Sequence, residues 1–132
     1  MKLHVSKRTT TLDDVIYILP LDTEQREKLL KELPTYKSGI REEIKDFLWN
    51  AFHKYVDMRV KAKIAQYEEH LAEGKQPLNP DILAQSQTEV WNEFDKILEG
   101  QLHQADTEEL QQVREKLSTL ISVANKPDSI SW

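Results

Sequence analysis

The sequence predicts an all-α fold: a short N-terminal helical hairpin packed on an elongated three-helix antiparallel bundle with one long central helix. Three observations predict it. Residues 40–73 contain neither Pro nor Gly and are rich in Ala, Leu, Glu, Lys and Arg, all good helix formers. Only three Gly occur in 132 residues, so turns are few and elements long, which argues against an all-β fold. Helix-start signals then punctuate the chain at Thr11–Asp14, Asp22–Gln25, Asn79–Pro80 and Asp106–Glu109.

Residues 1–10 carry Lys2, Lys7 and Arg8 and no acid. Leu3-His4-Val5 has strand character, but a single short strand has no partner in this chain. The segment is expected to be a flexible or docking arm. Residues 11–126 form one helical domain, and 127–132 a tail.

The first helix, 12–19, starts from Thr11 as N-cap with Asp14 at N3. It places Leu12, Val15, Ile16 and Leu19 on one face, and Pro20 ends it. The second, 23–33, is capped by Asp22 with Gln25 at N3, carries Leu29, Leu30 and Leu33, and closes at Pro34. Together they make a hairpin. The most apolar stretch of the chain, Phe47-Leu48-Trp49-Asn50-Ala51-Phe52, is its expected docking surface.

The central helix, 40–73, has Ser38 as N-cap and Gly74 at C′. It is about 50 Å long at about 1.5 Å per residue. At 100° per residue it carries two apolar stripes. The first holds Ile40, Ile44, Phe47, Leu48, Ala51, Tyr55, Met58, Ala62 and Ala65, with coiled-coil spacing from Ile44 onward. The second holds Trp49, Phe52, Val56, Val60, Ile64, Tyr67 and Leu71, roughly 150–160° away. A surface helix needs one stripe; two mean neighbours on two sides. A compact chain of this size has a radius of gyration of roughly 14 Å, so a helix of this length implies an elongated domain or cover from a second chain. The expectation is a homodimer with Trp49, Phe52, Val56, Val60, Ile64 and Tyr67 at the interface. The alternative is an elongated monomer that covers this stripe with its own N-terminal helices.

The fourth helix, 80–99, starts with Asn79 as N-cap and Pro80 at N1. Leu83, Val90, Phe94 and Ile97 share one side, widened by Trp91, Leu98 and Leu102. Gly100 either ends it or weakens it. The last helix, 107–125, follows Asp106 and carries Leu110, Val113, Leu117, Leu120, Ile121 and Ala124. The tail ends in Trp132, whose indole calls for cover by the bundle or by a partner.

Composition narrows the function classes. The chain has no Cys, which excludes disulfides, thiolate zinc sites and Cys nucleophiles. No apolar run approaches 18 residues and the N-terminus lacks a signal-peptide core, so a cytoplasmic location, away from membranes, is the default expectation. The net charge of −5 disfavours non-specific nucleic-acid binding.

One polar seam of the central helix holds Arg41, Lys45, Arg59, Lys63, Gln66 and His70 and no acid. Such a line could follow a phosphate backbone or an acidic partner. The competing expectation is neutralisation by acids of neighbouring helices, with Glu89, Glu93, Asp95, Glu99, Glu108, Glu109 and Glu115 available. A helical di-iron centre needs Glu-x-x-His pairs, but Asn50, Tyr67 and Gly100 stand three residues before His53, His70 and His103. His53 and Asp57 are two ligands at most. No Gly-rich phosphate loop, nucleophile elbow or zinc-protease motif occurs, and although Ser86 or Ser118 could join a His in a Ser-His-Asp set, nothing in the spacing selects one. No catalytic, metal or cofactor site is therefore assigned. The expected function is that of a non-enzymatic helical interaction protein: an adaptor, assembly factor or small chaperone. The alternatives are a nucleic-acid-binding or regulatory protein using the basic seam, and then a helical enzyme or metal protein.

Overall fold

The computed structural model describes residues 10–105 and 108–125. Over these residues the chain is helical: α1 (Leu12–Ile18), α2 (Thr23–Glu32), a 3-10 turn (Leu33–Thr35), α3 (Ser38–Ala72), α4 (Ile82–Leu98) and α5 (Glu108–Ala124). No strand occurs among the described residues. The all-α, helical-bundle reading holds, and α3 is the long central helix. The basic arm with Lys2, Lys7 and Arg8, the Asp106 cap and the Trp132 tail lie outside the described residues.

The chain divides into two compact units. One comprises α1, α2, the 3-10 turn, residues 38–52 of α3, and α5. The other is His53–His103: the rest of α3 and α4.

In the first unit, α1 opens with a reciprocal capping box. The Thr11 hydroxyl accepts from the Asp14 amide at 3.2 Å, and the Asp14 carboxylate accepts from the Thr11 amide at 3.1 Å. With Pro20 next in line, α1 stops after seven residues. Its last carbonyls lack helical partners, and Arg26 of α2 supplies them: the guanidinium donates to Ile16 O at 3.1 Å and Leu19 O at 2.9 Å. The hairpin is thus held by α2 capping α1. Helix α5 joins it through Arg114, which donates to Pro20 O at 2.7 Å, and through Gln25 (below). Val15, Ile16, Leu19, Leu29, Leu33, Ile44, Leu48, Leu117, Leu120 and Ile121 are all buried. Each stabilises the unit by roughly 1.5–3 kcal/mol relative to exposure. The buried α3 residues Ile44, Leu48 and Ala51 belong to the first predicted stripe.

The second unit is an antiparallel pair. Moving down α3, Tyr55 meets Phe94, Arg59 meets Glu93, Lys63 meets Glu89, and Tyr67 reaches Asn79. Partner numbers fall as α3 numbers rise, which defines the direction. Tyr55 stacks on Phe94 with ring centres 5.9 Å apart, and Trp91 meets Phe94 edge-on at 5.3 Å. Here Val60 and Tyr67 of the second stripe and Tyr55 of the first are buried, while Ala62 and Ala65 of the first are exposed.

Both helices of this pair end in Schellman motifs. The Gly74 amide donates to Leu71 O and the Lys75 amide to His70 O; Gly100 and Gln101 repeat this with Ile97 and Lys96. Both glycines sit at positive φ, 74° and 76°, so Gly100 ends α4. Helix α3 begins at Ser38 rather than at residue 40, so Ser38 lies inside the helix and is not its N-cap: the Arg41 amide already donates to Lys37 O at 2.8 Å. Helix α4 begins at Ile82 rather than at residue 80. Asn79 does not cap the helix: its Oδ1 accepts from the Asp81 amide at 2.9 Å, a local turn, and Asp81 takes the N-cap position. The inward stripe of α4 also differs from its expected form. Ser86, Val90 and Phe94 are buried, whereas Leu83 is 54% exposed.

Candidate functional site

One group of polar side chains gathers where α3 ends and α4 begins. Lys63, Gln66, Tyr67 and His70 sit one and two turns apart on α3, so 3.6-residue periodicity stacks them on one face. Ile82, Gln85, Ser86 and Glu89 do the same on α4. With Gln76, Pro77 and Asn79 of the connecting loop they line a cavity of about 340 Å³, within the range of small-ligand sites.

The loop is tied across this cavity by Tyr67. Its hydroxyl donates to Pro77 O at 3.1 Å and accepts from the Asn79 amide. The Asn79 side chain donates to Gln85 Oε1 at 2.6 Å, and Gln85 Nε2 donates to Glu89 at 3.0 Å. Lys63 pairs closely with Glu93 and lies 3.8 Å from Glu89. At the floor, Ser86 is 1% exposed, and its hydroxyl makes no hydrogen bond among the described residues.

Outside the cavity, the same tip presents Leu78, 77% exposed, and Leu83. Glu68, Glu69, Glu73 and Asp81 of the same stretch are exposed as well, and Lys75 meets Glu73 at 3.2 Å.

The predicted basic seam is distributed over both units and is occupied. Arg41 and Lys45 each lie 3.4 Å from Glu42. Arg59 meets Glu93 at 3.2 Å, both side chains about three-quarters buried. Lys63 is taken by the same Glu93 and by Glu89. His70 lines the cavity. Of the predicted interface residues, Phe52, Val60 and Tyr67 are buried, and Trp49, Val56 and Ile64 are half-buried. His53 and Asp57, considered together as ligands, are both exposed, and Asp57 pairs with Lys61 at 2.9 Å.

Among the described residues no three His, Asp or Glu side chains gather as a metal site, and no helix is long and apolar enough to cross a membrane. One tyrosine has altered acidity. Burial raises the Tyr36 pKa above its ordinary value of 10.0, the Glu32 carboxylate raises it further, and a hydrogen bond with Asn125 works against them.

Sequence reasoning reached Ser86 only as one of two serines that a Ser-His-Asp set could use, and missed its burial, Leu78 and the cavity. One signal was present: Ser86 stands four residues before Val90 and eight before Phe94, a polar side chain in line with two apolar ones. Compared with protein-family models, characterised proteins and solved structures, the chain matches none.

Proposed function

We propose that this is a non-enzymatic interaction protein, an adaptor, assembly factor or small chaperone, that docks a partner on the α3–α4 tip. The observation that carries the reading is the exposure of Leu78 and Leu83 in a stretch rich in acids. They are the two most exposed large apolar side chains among the described residues. Between residues 66 and 89 the acids are Glu68, Glu69, Glu73, Asp81 and Glu89, and the only base besides His70 is Lys75. Charge complementarity therefore selects a basic segment with apolar anchors, such as an amphipathic Lys/Leu helix.

Titration with such a peptide, against a Glu/Leu counterpart of equal length, tests this. Saturable binding of the basic peptide, with amide shifts confined to residues 66–86 and lost in Leu78→Asp/Leu83→Asp, supports it. Equal binding of both peptides, or none, overturns it.

Self-association is a separate proposal. Val56 and Ile64 of the second stripe keep part of their surface, and absolute mass from light scattering across a concentration series reads whether two chains share it. The nucleic-acid alternative gains nothing from Arg59 and Lys63, since both face carboxylates. A gel shift that weakens steeply with salt is the result that would revive it.

A further inference from the structure

The cavity at the tip holds a buried hydroxyl that the fold does not use. A helical Ser or Thr can return its hydrogen bond to the carbonyl four residues back. Thr88 and Thr119 do so, to Ala84 O and Glu115 O. Ser86 does not. A buried hydroxyl without a partner is a cost to folding, so its presence asks what occupies it.

The inventory of the lining gives the chemistry. Its charges are already matched: Lys63 is held by Glu93 and Glu89, and Glu89 also accepts from Gln85. Tyr67, Asn79 and Gln85 are engaged with one another and with the loop. Four lining side chains have no hydrogen-bond partner among the described residues: Ser86, His70, Gln66 and Gln76. Each of the four both donates and accepts in its neutral form. An entering carboxylate or ammonium would lose its hydration and find no unmatched opposite charge. A carboxamide, with one carbonyl and two N–H donors, matches groups that donate and accept at once.

We propose that the cavity binds a carboxamide: the Gln or Asn side chain of the basic segment docked on the tip. This rests on the reading of the tip as a docking surface. The carboxamide reaches Ser86 past the 76–79 loop, which Tyr67 holds through Pro77 O and the Asn79 amide. The Ser86 hydroxyl takes the carboxamide carbonyl, and Gln66, Gln76 and His70 ring the entrance.

Two measurements test it. The first titrates the ¹⁵N-labelled protein with propionamide, propionate and propylammonium, three probes of one size and three charges. Propionamide is expected to saturate shifts at residues 66–70, 76–79 and 85–86. Ser86→Ala should weaken it about fivefold, the loss of one neutral hydrogen bond, while leaving the melting temperature unchanged or higher. Better saturation by either ion overturns the proposal. So does a fall in melting temperature with no localised propionamide shift, because Ser86 is then a structural group served by water.

The second compares the basic peptide carrying Gln, Glu or Met at one position. A preference for Gln of about fivefold, abolished by Ser86→Ala, is expected. Equal affinity of the three peptides removes the carboxamide pocket and leaves the docking surface. Propionamide binding without any peptide binding removes the docking surface and the partner assignment.

Discussion

Gln25 donates from Nε2 to the Ser118 hydroxyl at 2.6 Å, joining two residues 93 apart in sequence. The same amide donates to Arg114 O at 2.7 Å, and its Oε1 accepts from the Asp22 amide at 3.3 Å. One side chain therefore caps α2 and clamps α5. At 6% exposure it has almost no access to water in place of these partners. Gln25→Ala should destabilise the protein by about 2 kcal/mol, the cost of leaving buried donors and acceptors unmade. Chemical denaturation with an unchanged slope checks it, and a loss under about 0.5 kcal/mol would mean water replaces the amide.

Two glycines of α3 should respond in opposite directions to the same substitution. Gly74 sits at φ 74°, and a Cβ there meets nothing within 4 Å, so Gly74→Ala costs only backbone strain, about 1 kcal/mol. Gly39 lies inside the first turn of α3, also with open space around it and without a positive φ. Gly39→Ala should stabilise by about 0.5 kcal/mol, because alanine loses less backbone freedom on folding. Paired thermal melts read both signs at once.

Arg59 and Glu93 form a largely buried ion pair of the α3–α4 unit. Arg59→Glu sets like charges against Glu93 and should cost about 1 kcal/mol, the scale of partly solvated pairs. The swapped double variant, Arg59→Glu with Glu93→Arg, should recover only part of it on chemical denaturation, because position 93 then faces Lys63 with like charge. Full recovery would show that Lys63 is served by Glu89 alone.

Tyr36 sets an alkaline limit. Its pKa is raised in the folded chain by burial and by Glu32. The folded state therefore holds the phenol proton more tightly than the unfolded state does. The resulting stability is complete below the unfolded pKa, near 10, and is lost as pH rises through the folded value. Denaturant midpoints should fall above pH 10 in the native protein. Tyr36→Phe should remove that part of the decline; an identical decline in the variant would assign it to other groups.

Much of this protein was legible in one dimension because local rules set it. The Thr11–Asp14 box, the Pro20 and Pro34 stops, the uninterrupted α3 and the Gly74 C′ position all depend on neighbours within four residues. They appear where spacing and backbone preference put them. The elements that moved are those where a competing local bond won. Asn79 spends its side chain on the Asp81 amide, and α4 starts two residues late. Gly100, ambiguous as a lone residue, became a helix end once Gln101 and Lys96 closed the 6→1 bond.

The sequence by itself determined that the chain is helical, the approximate bounds of its helices, and that α3 carries two apolar stripes. These follow from helix periodicity, capping and the scarcity of Gly. Only the tertiary structure decided which stretch of each stripe is buried, which carboxylates meet Arg59 and Lys63, and that Leu83 faces water while Ser86 goes inside. It also brought Lys63, Tyr67 and His70 to Ser86 and Glu89 around one cavity. The physical reason is that periodicity assigns a residue to a face of its own helix. Which neighbour covers that face, and at what depth, is set by packing between segments distant in sequence, and no local pattern encodes it.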